Sequence, residues 1–219
     1  MKRVFLLVAA AVLSLVVTSC SKYRYEEVAD DPLHSRIYTL DNGLKVYMTV
    51  NGEAPRIQTY IAVRVGSKND PLETTGLAHY FEHLMFKGTK SFGTQDYEAE
   101  RPMLDEIERL FEVYRTTTDA DERRAIYARI DSVSQEASKL AIPNEYDKLM
   151  SAIGAAGTNA FTSYDMTVYT EEIPSNQIDN WAKIQSDRFA NAVIRGFHTE
   201  LETCLLYTSP SPRDRTRSR

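Results

Sequence analysis

The chain has 219 residues, 42 % hydrophobic and 26 % charged, with a net charge of −5. That length and balance support one domain with a real core and exclude a disordered or fibrous chain. Lys2 and Arg3 at one end and four arginines between Arg213 and Arg219 at the other leave a body more acidic than the total, which argues against a nucleic-acid partner.

At the N-terminus, Lys2 and Arg3 precede an apolar run, Val4 to Val17, and then Thr18-Ser19-Cys20. A positive start, an apolar stretch short for a membrane span and small residues before a cut site describe a secretory signal over residues 1–19. Val17-Thr18-Ser19-Cys20 resembles a bacterial lipobox, so Cys20 is expected to be lipidated and to anchor the chain to a membrane of the cell envelope, on the outer-membrane or periplasmic side. Residues 20–32 are polar and read as a tether. The domain proper is expected to span 33–203.

Within it, Arg36 to Leu40 and Leu44 to Val50 alternate in polarity around Asp41-Asn42-Gly43, a strong hairpin signal. A third strand is predicted over Ile57 to Val65, and Gly66 to Pro71 reads as a loop. The pattern turns helical from Gly76 to Phe86. Two amphipathic helices follow, one with Met103, Ile107, Leu110, Phe111 and Tyr114 on a stripe, the other with Ile126, Ile130, Val133, Ala137 and Leu140. Asp119 and Glu122 can cap the second. Together they predict an antiparallel helical hairpin over about 98–141. Phe161 to Thr170 reads as a strand, and Pro174-Ser175 opens a helix carrying Ile178, Trp181, Gln185 and Phe189. This non-alternating order predicts an α+β fold, an antiparallel sheet packed with helices.

From Cys204 to Arg219 the periodic pattern stops in a Pro/Ser/Arg stretch that resembles a translated sequencing adapter. Residues 204–219 are therefore read as foreign to the natural protein, which is expected to continue past about Glu202. With Cys20 as the lipid site and Cys204 in the foreign tail, no structural disulfide is expected.

The chemistry concentrates in His79-Tyr80-Phe81-Glu82-His83. Positions i, i+3 and i+4 share a helix face, so both imidazoles and the carboxylate project together. Two histidines four apart can hold one zinc ion, and Glu82 is placed to take a proton from a water that the ion acidifies. His34 and His198 stand alone and read as structural or surface residues.

The flanks sharpen the reading. Gly66-Ser67, Asp70 and the run from Gly76-Leu77-Ala78-His79 through His83-Leu84-Met85-Phe86-Lys87-Gly88-Thr89 resemble the active-site block of the pitrilysin/insulinase family of inverted-motif zinc peptidases. Asn159-Ala160-Phe161-Thr162 and Tyr169 resemble that family's second block. The resemblance implies a zinc-peptidase half-domain, C-terminally truncated, with zinc on His79 and His83 and with Glu82 as general base. It implies a substrate peptide added along the strand at Asn159 and Ala160, and Glu200 beside the ligands as a supporting carboxylate. The third ligand, a glutamate, would fall beyond the native sequence present. The expected activity is hydrolysis of peptides or unfolded segments, with a second half-domain or partner subunit completing the site, so the chain as it stands is expected to be inactive. The same resemblance covers non-catalytic assembly subunits; the intact His79, Glu82 and His83 favour the enzyme.

Overall fold

The computed structural model describes residues 24–197 and residue 200. The expected signal, Cys20, His198 and everything from 201 onward lie outside the described residues. The chain divides into two compact units between Ala54 and Pro55.

In the first unit, β1 (Tyr25–Glu27), β2 (Arg36–Thr39) and β3 (Lys45–Met48) form an antiparallel sheet in that order. The β2–β3 hairpin turns where its sequence demands. Gly43 takes φ +85°, and Asn42 Oδ1 accepts from the Leu44 amide at 3.1 Å. The sequence reads residues 20–32 as a tether, yet Tyr25–Glu27 pairs with β2, Tyr25 opposite Tyr38. Side chains supply the reason: the rings of Tyr25 and Tyr38 lie 5.5 Å apart and the Arg36 guanidinium sits 5.0 Å over Tyr25. Among the described residues β2 and β3 pair with β1 and each other, while the next strand joins a different sheet.

The second unit is built on the antiparallel sheet β4-β6-β5, with β4 at Arg56–Val63, β5 at Ala156–Thr162 and β6 at Thr167–Pro174. The single strand expected over Phe161 to Thr170 is in fact the end of β5, a turn and the start of β6. Ser163 N donates to Met166 O at 2.8 Å and Ser163 Oγ to the same oxygen at 3.0 Å, closing the turn without glycine or proline. Helices α1 (Leu77–Leu84), α2 (Tyr97–Thr116), α3 (Ala120–Ser138), α4 (Glu145–Ala152) and α5 (Ile178–Ala190) complete the unit. Among the described residues, no helix is long and apolar enough to cross a membrane.

Two apolar clusters hold it. Ile173 of β6, Tyr146 and Met150 of α4 and Phe92 are buried together, with Ile57, Phe86, Trp181 and Ile184 packed around them. Leu110 of α2 meets Ile130 and Val133 of α3 in the hairpin's own seam, as the stripes predict. Asp119 caps α3, its Oδ1 accepting from the Asp121 and Glu122 amides at 3.0 and 2.9 Å.

Candidate active site

Helix α1 carries the site, and its start is fixed by the residues before it. Gly76 turns at φ +94°, and the Asp70 carboxylate accepts from the Gly76 and Ala78 amides at 2.7 and 2.8 Å. Two first-turn donors are thereby satisfied without a hydroxyl cap. The loop ahead docks by main chain: Ser67 N donates to Ser163 O at 3.0 Å and Lys68 N to Tyr164 O at 3.1 Å. This sets α1 against the turn between β5 and β6.

On α1 the two imidazoles meet. His79 Nε2 and His83 Nε2 stand 3.2 Å apart, with ring planes inclined at 67°. Glu200 Oε1 lies 2.9 Å from His83 Nδ1, and Lys87 Nζ donates to Glu200 Oε2 at 2.5 Å. A carboxylate on Nδ1 fixes the tautomer and leaves Nε2 with its lone pair. Burial raises the Glu200 carboxyl's pKa, but Lys87 and His83 together outweigh it and hold the group below its ordinary value.

Glu82 is buried, 7 % exposed, on the side of α1 that faces the sheet. Thr162, at the end of β5, donates its hydroxyl to Glu82 Oε2; Thr167 Oγ1 lies 3.2 Å from Thr162 Oγ1 and donates to Val65 O. Tyr169 on β6 is pushed up to about 12, first by burial and further by Glu82, against the pull of Arg188. Neutral phenol and hydroxyl therefore line the carboxylate. Asn159 and Ala160 lie on β5, opposite Thr170 and Tyr169, and β5 is an edge of its sheet.

The pair of imidazoles fits a metal ion. Two nitrogens each about 2.0–2.1 Å from a tetrahedral ion stand about 3.4 Å apart, close to the spacing of the two Nε2 atoms. Among the described residues no three His, Cys, Asp or Glu side chains gather as a group that could hold a metal ion. The sequence singles out His79, Glu82, His83 and Glu200; it assigns no contact to Thr162, Lys87 or Asp70, which touch Glu82, Glu200 and the start of α1. All three sit in the motif blocks, but the contacts they make come from chain crossings that no local pattern encodes.

Helix α1 thus brings two imidazoles and a buried carboxylate beside the end of an edge strand. Residues 45–108, which include all three side chains, match the family model "Insulinase (Peptidase family M16)". Among curated relatives, Protease 3 of Escherichia coli is 30 % identical over 114 residues, 52 % of this chain and 10 % of that protein. A Schizosaccharomyces pombe protein named as a candidate zinc protease is 29 % identical over 110 residues, 48 % of this chain and 11 % of its own. The matches thus span about a tenth of those relatives' length. The crystal structure of a protease from Helicobacter pylori shares the fold over 84 % of this chain and 30 % of its own, with a TM-score of 0.52 and 20 % identity.

Proposed function

We propose that the chain is the N-terminal part of a zinc metallopeptidase of the insulinase family, hydrolysing peptides or unfolded protein segments in the cell envelope. The observation that carries this reading is the 3.2 Å approach of the two Nε2 atoms beside buried Glu82, within the stretch that matches a peptidase family.

His79 and His83 would hold zinc through Nε2, and a glutamate downstream would be the third ligand. Zinc, when bound, supplies Lewis acidity toward the peptide carbonyl and toward water. Glu82 takes a proton from the attacking water and returns it to the leaving amine. Thr162 holds Glu82 Oε2. Glu200 orients His83 through Nδ1. The open edge of β5 at Asn159 and Ala160 pairs with the substrate main chain. A C-terminal half-domain or partner subunit closes over the site, and lipid on Cys20 keeps the protein at the membrane.

The test is made on the full chain with its downstream sequence. Glu82→Gln retains zinc and lowers hydrolysis of a quenched peptide by about 10²–10⁴-fold, since only the base is removed. His83→Ala loses the zinc as well, measured by metal content after dialysis. A wild-type rate for Glu82→Gln sinks the assignment of the base.

A further inference from the structure

We propose that Glu100 and Arg195 form a positioning clamp through which the α2–α3 hairpin sets the Glu200 turn against His83. Its functional meaning rests on the reading of His83 as a metal ligand.

Both charges are buried, Glu100 to 1 % exposure and Arg195 to 5 %. Buried ions are tolerated only when paired and hydrogen-bonded, and this guanidinium is used on several sides. Nε donates to the two Glu100 oxygens at 2.8 and 2.9 Å. Nη2 donates to Thr89 O at 2.6 Å, and Nη1 reaches Lys87 O and Phe92 O at 3.4 and 3.5 Å. Gly88 and Gly93 leave room for it, since a Cβ at either would lie 3.0 or 3.1 Å from Nη1. Arg195 therefore ties the first turns of α2 to the loop that leaves α1.

The same segment is held again two residues on. The Phe197 ring packs edge-on against Phe111 of α2 at 5.4 Å and against Tyr80 of α1 at 5.3 Å, and Tyr80 donates its hydroxyl to Phe197 O. Glu100 and Phe111 stand about three turns apart, on one face of α2. Val193 N donates to Gly88 O at 3.2 Å, and Glu200 N to Gly196 O at 2.9 Å. Lys87 is gripped at both ends, its carbonyl by Arg195 and its ammonium by Glu200. Guanidinium, loop and helix thus fix where the Glu200 carboxylate meets His83 Nδ1.

The test compares Glu100→Gln and Arg195→Lys with Arg109→Gln, which removes an exposed ion pair on α2. Amide hydrogen exchange is followed along residues 87–93 and at Glu200, the His83 ring nitrogens by NMR, and zinc affinity by chelator competition. Both clamp variants should exchange roughly tenfold faster in that loop and at Glu200, while the amides of Ile130 and Ile173 keep their rates. The His83 Nδ1 signal should shift, and zinc affinity should fall about tenfold, as for other partners that orient a ligand. Arg109→Gln should move none of these. Unchanged exchange at 87–93 with an unchanged His83 signal overturns the clamp; so does acceleration spread evenly through α3 and β6, or failure of both variants to fold, since either marks a general brace. The exchange and His83 readings are made without metal. If they behave as expected while the wild-type protein binds no zinc, the clamp stands and the metal reading falls.

Discussion

Among the described residues Arg188 and Glu171 are the most deeply buried charges of the second unit, each fully enclosed. Their carboxylate and guanidinium stand 3.8 Å apart, bridged by Tyr146, whose hydroxyl donates to Glu171 Oε1 at 2.6 Å and accepts from Arg188 Nη1 at 2.9 Å. Among the described residues Arg188 Nη2 has no hydrogen-bond partner; the rings of Phe86, Tyr146 and Tyr169 surround the guanidinium at 4.4–4.5 Å and take that place. Burial raises both phenols, Tyr169 to about 12 and Tyr146 further in the same direction. An unfolded tyrosine titrates near 10, so above that pH the unfolded state gives up protons that the folded state keeps. This part of the stability is fully present below pH 10 and is lost as pH rises toward 12. Urea melts at pH 8 and pH 11 should show the loss, and Tyr169→Phe should make it shallower. An equal slope in wild type and variant would remove Tyr169 from the account.

At the scale of elements, the α2–α3 hairpin has a seam of its own. Ile130 is wholly buried between the helices, and its truncation to alanine should cost about 2–5 kcal/mol in chemical denaturation. The hairpin was legible because a 3.6-residue stripe ran the length of both helices and Asp119 stood where a cap was needed. So was α1, since His79, Glu82 and His83 need only a helix to converge. Other elements left weaker traces. Helix α4 is two turns long, and its buried Tyr146 and Met150 are a single i, i+4 pair. The apolar residues Phe161, Tyr164, Met166 and Val168 continue through the β5–β6 turn as though no turn were there. Nor does a strand's own sequence name its sheet: β4 passes over its neighbours in the chain to pair with β6, more than a hundred residues on. Glu171 looks like a surface residue of an alternating strand, and the convergence of Arg188, Tyr146, Trp181 and Thr59 on its carboxylate explains its burial.

For the molecule as a whole, we place lipid on Cys20. Expression in a bacterial host with labelled fatty acid should label the mature protein, and Cys20→Ala should abolish the label; labelling that survives the substitution would count against an anchor there. The distribution of contacts also bears on how such a molecule can change over generations. The approach to α1 is docked on the β5–β6 turn by the peptide groups of Ser67 and Lys68, and the Lys68 ammonium adds an exposed ion pair to Asp165. Gly66 admits no alternative, since a Cβ there would lie 2.5–2.6 Å from backbone atoms of Ser163, Tyr164 and Met166. Backbone docking is indifferent to side-chain chemistry, so that turn can diversify its exposed Tyr164 while the path of its chain is inherited. Constraint and variability can then sit within a few ångströms of each other, and an exposed position of the turn can drift without loosening the helix that holds the histidines.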